Sequence, residues 1–467
     1  MGDHATLART LTREGLETFA RAVEVAPPAL TNTARTARKP LPPIAGPSAW
    51  LGSLVTAALG TLFPEPEMKL HRLDLRFLAP VLVEETVEVS FTVTALETEP
   101  NGLPQARLLC RIANPRNETV AEGEAEVLVP AGSIHPPPAS SLPPGRQKPG
   151  ARLRALVNEA REARVRAGRD PLRTAVVHAV DAPALEGAVE AAQAGLILPV
   201  FVGPKERILR AGRDAGLDLG PYEIVATEHS HAAAERAVAL ARAGEVEALM
   251  KGSLHTDELM QAATHPETGL RTARRMSHVF VVDAPHWPRL LLLTDAAINV
   301  TPDLEEKRDI VQNAIDLAHV LGIARPRVAL LSSLETVTPR IASTLDAAAL
   351  CKMADRGQIA GGILDGPLAF DNAVSARAAR TKGITSPVSG RADVLMVPDL
   401  DAGNMLAKGL EYLGGARLAG LVLGTRVPVI LTSRADLAEA RMASCALALL
   451  QVLATSSRPR AEEPQDA

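Results

Sequence analysis

The chain is poor in aromatic residues, which make up 2% of its 467 positions. Its cores must therefore be packed from alanine, leucine and valine. Cysteine is scarce as well. Cys110, Cys351 and Cys445 stand far apart and form no CxxC or Cys/His spacing. That excludes a disulfide framework and a structural zinc site, so no bound metal is expected. Three reduced, mostly buried thiols in a cytoplasmic protein are the expectation. Neither sign of charge dominates, with a net charge of −4 and a pI near 6.3. No basic field exists for nucleic acid or anionic lipid, so neither is expected as a partner. The N-terminus is polar and mixed in charge, without the pattern of a signal peptide. The longest apolar stretch, residues 442–454, is interrupted by Ser444 and Gln451. It is too short to span a bilayer and fits a buried helix.

Hydrophobic residues reach 46%, enough for several ordinary cores. One boundary stands out. Residues 135–150 read HPPPASSLPPGRQKPG, with six prolines that fix φ and donate no backbone hydrogen bond. Such a segment behaves as a semi-rigid extended linker.

Before it, residues 11–25 have helical spacing, with Leu16, Phe19, Ala20 and Val23 on one face. Residues 50–62 form an almost unbroken apolar run, which predicts a helix buried on most sides. Strands are predicted at 72–78, 86–97, 105–114 and 119–130. In the second of these, Val87, Val89, Phe91 and Val93 alternate with polar residues, the pattern of a half-buried antiparallel strand. Asn101 and Gly102 punctuate a hairpin. A long helix against an antiparallel sheet gives an α+β domain. After the linker, short apolar segments alternate with helical ones, including helices at 303–321 and 339–356. That alternation predicts parallel sheets covered on both faces, and the length predicts two lobes with a cleft.

Three strings after the linker carry chemistry. In PVILTSRADLAE, residues 428–439, four apolar residues lead into Ser433 and Arg434 where a strand ends and a helix begins. Ligands bind at that edge of an α/β sheet, and a helix N-terminus there favours an anion. Arg434 adds a planar fork suited to phosphate. A capping serine and a surface charge would look the same. Asp399, Asp401, Gly403 and Asn404 follow the polar turn at Ser386–Gly390, and a solvated turn with a helix cap explains them better than a metal. In KGSLHTDELM and GLRTARR, at 251–260 and 269–275, Lys251 and three arginines make a solvated face or an anion site.

Together the strings carry a resemblance. TDAAINVTPDLEEKRDIVQNAIDLAHVLGI (294–323), LDGPLAFDNAVS (364–375), SPVSGRADVLMVPDLDAGN (386–404) and PVILTSRAD (428–436) match, in order, the phosphate acetyltransferase / phosphate butyryltransferase family. The TDAAIN and SRAD forms look closer to its butyryl branch. The resemblance implies a two-lobed α/β unit of the isocitrate-dehydrogenase-like fold. It implies coenzyme A as a substrate rather than a cofactor, and a homodimer or higher homo-oligomer. It implies catalytic roles for Ser433 and Arg434, and phosphate binding by Arg271 and Arg434. Lys251, Ser386 and Asn404 become candidate substrate-binding residues. The acetyl branch carries an aspartate seven residues after the serine. Here that position is Ala440, and Glu439 beside it is the candidate base. A related domain of some malic enzymes senses acyl-CoA without catalysis, which leaves a regulatory alternative.

The first part resembles the MaoC-like hotdog enoyl-CoA hydratases through IAGPSAWLGSLVTAALGTLFP (44–64), LDLRFLAPVLVEETVEVSFTV (73–93) and AEGEAEVLVP (121–130). Their catalytic Asp/His pair has no counterpart, because residues 5–70 contain neither residue type. VEVAPPALTNT (23–33) stands in its place, and Glu24 and Asn32 are poor substitutes for a titratable pair near neutral pH. The chain thus resembles bifunctional hydratase/acyltransferase fusions. The expected organisation is a hotdog domain at 1–134, a linker at 135–150 and the acyltransferase at 151–467. Its first lobe covers about 151–284 with 430–456, and its second about 285–429.

Overall fold

The computed structural model describes residues 4–22, 47–62, 69–98, 104–128, 150–431 and 438–456. The chain divides into two compact units, Met1–Gly145 and Arg146–Ala467.

The first unit is a helix against an antiparallel sheet, the hotdog arrangement. Five strands, β1 (His4–Thr10), β2 (Lys69–Phe77), β3 (Thr86–Thr98), β4 (Pro104–Ala113) and β5 (Thr119–Leu128), lie in the order β1-β3-β4-β5-β2. Every pairing is antiparallel. Helix α1 (Arg13–Ala22) follows β1, and α2 (Ser48–Leu62) is the apolar helix of the core. Trp50, Leu51, Leu54, Val55, Ala58 and Leu59 of α2 pack among Val87, Val89, Phe91, Leu108 and Ile112 of the sheet. The alternation in β3 holds from Val87 to Phe91. A register shift between Val93 and Ala95 then sets Leu96 opposite Ala106, two residues from the end of the strand, where Leu96 is exposed. A bulge inserts one residue and reverses the inside–outside sense beyond it. Gly123 of β5 is required by contact: a Cβ there would lie 1.9 Å from the Asp74 carbonyl oxygen of β2. The hairpin expected at Asn101 and Gly102 and the segment 23–33 lie outside the described residues.

The second unit is built on one eleven-stranded sheet covered by helices. Along the chain come α3 (Ala151–Arg166), β6 (Leu172–Val177), α4 (Ala182–Gln193), β7 (Ile197–Gly203), α5 (Lys205–Asp214), β8 (Glu223–Ala226), α6 (Ser230–Arg242), β9 (Ala248–Lys251) and α7 (Thr256–Thr264). Then follow β10 (Ser277–Asp283), β11 (Leu291–Thr294), α8 (Leu304–Val320), β12 (Arg327–Leu331), α9 (Ala342–Asp355), β13 (Ile363–Leu368), α10 (Phe370–Val374), α11 (Ala376–Thr381), β14 (Val394–Met396), α12 (Leu400–Lys408), β15 (Arg417–Leu423), β16 (Val429–Ile430) and α13 (Ala438–Ser456). A capping box between Asp303 and Glu306 starts α8.

The strand order is β13-β12-β14-β11-β10-β15-β16-β9-β6-β7-β8. Its two wings are parallel, but β10 runs antiparallel to β11 and β15, and β15 antiparallel to β16. The sheet is therefore mixed: the expected parallel pairing holds in the wings and fails at the centre. The two wings run in opposite directions. Alternate residues of a central strand face opposite layers: Val176 of β6 packs with Leu447 and Leu450 of α13, while Ala175 and Val177 pack with Ala233 and Ala237 of α6. Both faces are buried, so such strands read as continuous apolar runs. Among the described residues, α13 is the one helix long and apolar enough to cross a membrane. It lies in the core, with Ala443, Cys445, Ala446 and Leu447 fully buried. Burial pushes the Cys445 thiol up to about 12.

Candidate active site

Strand register defines the ends of the sheet. β9 runs parallel to both β6 and β16, with Lys251 level with Val177 and Met250 level with Ile430. All three strands end at one edge. Lys251 is buried there, and Gly252 packs so tightly on the preceding loop that a Cβ would lie 2.4 Å from the Val177 carbonyl oxygen. The Ser253 hydroxyl accepts a hydrogen bond from the Val180 N–H at 3.2 Å. Beyond Ile430 the chain passes Leu431 and enters residues 432–437, which include Ser433 and Arg434. These two lie outside the described residues. Glu439, in the first turn of α13, accepts a hydrogen bond and ion pair from Arg154 of α3. Ala440 is buried in the same turn, where a carboxylate would have to enter the core.

Arg271 lies at the other end of these strands. It forms an isolated bridge with Thr425, in the turn between β15 and β16. A four-residue strand such as β9 spans about 10 Å. Lys251 and Arg271 are therefore held at opposite edges, and the structure does not bring them together. Arg271 lines a cleft of about 520 Å³ that also contains Arg274, Arg275 and Arg308. Arg274 pairs with Asp316, Arg275 with Glu306 at 2.9 Å, and Arg308 with Asp309 at 3.0 Å. Arg271 has no acidic partner among the described residues and is exposed, as a group receiving an anion must be.

The TDAAIN string sits beside this cleft. Asp295 is buried and accepts from the N–H groups of His278, Ala297, Ile298 and Asn299 and from Asn299 Nδ2 at 2.6 Å. Asn299 Oδ1 in turn accepts from Arg275 Nε at 2.7 Å, so the buried carboxylate orients a cleft arginine through one intermediate. Burial pushes the neighbouring His278 imidazole down to about 4, against the pull of Asp295. Asn404 of α12 donates to the Ala296 carbonyl at 3.3 Å, which ties α12 to the same loop.

The remaining candidates are local turn formers. Ser386 Oγ accepts from the Val388 and Ser389 N–H groups at 3.0 and 3.1 Å. Asp399 caps α12 through the Ala402 N–H at 2.8 Å. Among the described residues no group of three or more acidic, histidine or cysteine side chains could hold a metal. His178 was not singled out in the sequence. It follows β6 directly, at the edge that Lys251 shares, and its only sequence signal is a histidine between a strand and the Asp181 helix cap.

A helix-covered mixed sheet, with an arginine-bearing cleft at one edge and strand ends at the other that lead toward a Ser–Arg string, places the second unit in the α/β class. Comparison with known proteins narrows the class. The model of the family described as "Phosphate acetyl/butaryl transferase" matches residues 222–449. The chain is 61% identical over 280 residues to a phosphate acetyltransferase of Rhizobium meliloti, covering 60% of this chain and 89% of that protein. It is 42% identical to a phosphate butyryltransferase of Clostridium acetobutylicum, with 60% and 92% covered. The crystal structure of a branched-chain phosphotransacylase from Enterococcus faecalis aligns with a TM-score of 0.53 at 30% identity, covering 60% of this chain and 99% of that one. The chain belongs to the phosphate acetyl/butyryl transferase family. Identity runs higher toward the Rhizobium acetyltransferase than toward the clostridial butyryltransferase.

Proposed function

We propose that the second unit exchanges an acyl group between coenzyme A and inorganic phosphate: acyl-CoA + phosphate ⇌ acyl phosphate + coenzyme A. The observation that carries this reading is the 61% identity, which extends over nearly the whole of a phosphate acetyltransferase. Arg434 and Arg271 bind phosphate groups, Ser433 hydrogen-bonds at the reacting centre, and Lys251, Ser386 and Asn404 contact substrate. Catalysis rests on positioning and on neutralising phosphate charge, since a thiol with a pKa near ~8.5 needs only modest help from a base. Glu439 is the acidic group nearest the expected base position, but Arg154 engages its carboxylate. No metal or redox cofactor enters the scheme. The site is placed in a cytoplasmic homodimer or larger homo-oligomer, a reading supported by three free cysteines and by exposed apolar side chains at Met405, Tyr412 and Leu413.

The test is release of free coenzyme A thiol by the purified full chain from acetyl-CoA and phosphate, with a chelator present. Phosphate-dependent release is the expected result. If acetyl-, propionyl- and butyryl-CoA all bind without releasing thiol, the unit is a sensor instead.

The first unit is proposed to bind acyl-CoA or to mediate assembly, not to hydrate. Addition of water needs a positioned acid/base pair, worth about 10²- to 10⁴-fold in rate. Crotonyl-CoA is therefore expected to lose no double bond above background when mixed with the full chain, followed by its ultraviolet absorbance. An enzyme-like hydration rate would contradict this and place a base outside residues 5–70.

A further inference from the structure

The segment from Arg271 to Arg275, between α7 and β10, is held more firmly than a solvated run of charge requires. Buried Asn313 of α8 donates to the Arg275 carbonyl at 2.9 Å and to Ser277 Oγ at 2.8 Å. The Arg275 N–H donates to the Asp309 carboxylate at 2.9 Å, and the Thr272 hydroxyl to the Gly424 carbonyl at 2.8 Å. Gly424, at φ 79°, lets the two chains meet: a Cβ there would lie 2.4 Å from the Arg275 carbonyl oxygen. The Arg275 side chain is fixed from behind by buried Asn299 and Asp295. Exposed charges gain little from such ordering by themselves, whereas a receptor for an anion gains preorganisation.

The cleft beside this segment, about 520 Å³, has the size of a small-molecule site. It meets a second cavity of about 570 Å³ at Thr272, Arg274 and Gly424, which line both. In the first cleft four arginines face three carboxylates, Glu305, Glu306 and Asp309, which leaves one net positive charge. Arg274, Arg275 and Arg308 have acidic partners. Arg271 and Glu305 are both exposed and have no charged partner among the described residues. A guanidinium fork suits a phosphate, and a carboxylate accepts from hydroxyl groups.

We propose that this cleft binds a phosphate monoester on a hydroxyl-bearing carrier of nucleoside size, away from the reacting centre. Arg271 takes the phosphate, in a field held in place by the three paired arginines. Glu305 accepts hydrogen bonds from the carrier's hydroxyls. The rest of the carrier reaches the second cavity, where Leu423, Val427 and Val452 offer apolar surface. One net charge suits one phosphoryl group, since a polyphosphate would meet the three carboxylates. The separation from the reacting centre rests on the acyl-exchange reading, which puts substrate at Lys251. Arg271 lies at the opposite edge of the same strands, so its phosphate is not the one transferred.

The test is calorimetric titration of the full chain with adenosine 5′-monophosphate, alone and with saturating coenzyme A. Wild type is expected to bind the nucleotide equally in both. Arg271→Gln should weaken binding about tenfold or more, the loss of one charge-assisted hydrogen bond. Glu305→Gln should weaken it less, because the amide oxygen still accepts, and should leave thioester formation unchanged. Adenosine, without the phosphate, should bind wild type no better than Arg271→Gln does. The proposal is overturned if wild type gives no binding, as it would if Arg271 and Glu305 simply pair with each other. It is also overturned if coenzyme A displaces the nucleotide, or if Arg271→Gln binds it as tightly as wild type. A wild type that binds the nucleotide beside coenzyme A but turns over nothing sinks the acyl-exchange reading and leaves this site standing.

Discussion

Arg434→Gln is expected to lower turnover by about 10- to 150-fold and to raise the Michaelis constant for phosphate, while leaving coenzyme A binding nearly intact. The magnitude follows from a charge-assisted hydrogen bond of about 1.5–3 kcal/mol, where ~1.4 kcal/mol is tenfold in rate. Arg434→Lys keeps the charge and loses the planar fork, so it should recover only part of the loss. Steady-state kinetics in both variants check this. Wild-type kinetics in Arg434→Gln would return the residue to an ordinary surface charge. Arg271→Gln makes an informative companion. Its side chain belongs to the cleft at the far edge of β9 and β16 and has no acidic partner to lose among the described residues, so stability should hardly change. An effect on Michaelis constants alone would assign it to binding. An equal fall in turnover would assign it to the transition state.

The second large effect is on stability. Asp295→Ala strips the acceptor from four buried or half-buried backbone N–H groups and from Asn299 Nδ2. A buried donor left without a partner costs about 1–3 kcal/mol, and losses within one network do not add fully. The expected destabilisation is about 3–5 kcal/mol, read from urea unfolding of the full chain. Asp295→Asn keeps one acceptor oxygen and should cost less. Hydrogen exchange adds a spatial check. Amides of β10, β11 and residues 295–299 should lose protection, while those of β3 and β4 in the other unit should not. Unchanged exchange around Asp295 would mean that its hydrogen bonds contribute nothing net.

Much of this architecture was legible because local chemistry and global fold agree. The α8 helix announces itself through Asp303 and Glu306 at its start and an apolar stripe that ends buried at Ile310, Ala314 and Leu317. Strand β3 shows its inward face as Val87, Val89 and Phe91. Strand direction was not legible. β10 and β15 are buried on both faces like their parallel neighbours, so nothing in their composition marks the antiparallel centre of the sheet. β1 was missed because HATLART has little alternation and lies at an edge, paired with β3 alone. The bulge after Val93 was hidden too, since Thr94 and Ala95 read as an ordinary continuation.

The candidate site divides in the same way. Strings gave residue types, but only register shows that Lys251 and Arg271 occupy opposite ends of one strand pair. Glu439 looked available as a base, and the contact that engages it comes from Arg154, far away in sequence. Ser433 and Arg434 lie outside the described residues, and their roles stay with the kinetics.

One measurement addresses the central claim most directly: transfer of labelled inorganic phosphate into unlabelled acetyl phosphate by the purified full chain. Exchange requires the acyl group to leave phosphate, reside on coenzyme A and return. The account predicts that label enters acetyl phosphate with a chelator present and only when coenzyme A is added. No incorporation, or incorporation that proceeds equally without coenzyme A, would contradict it.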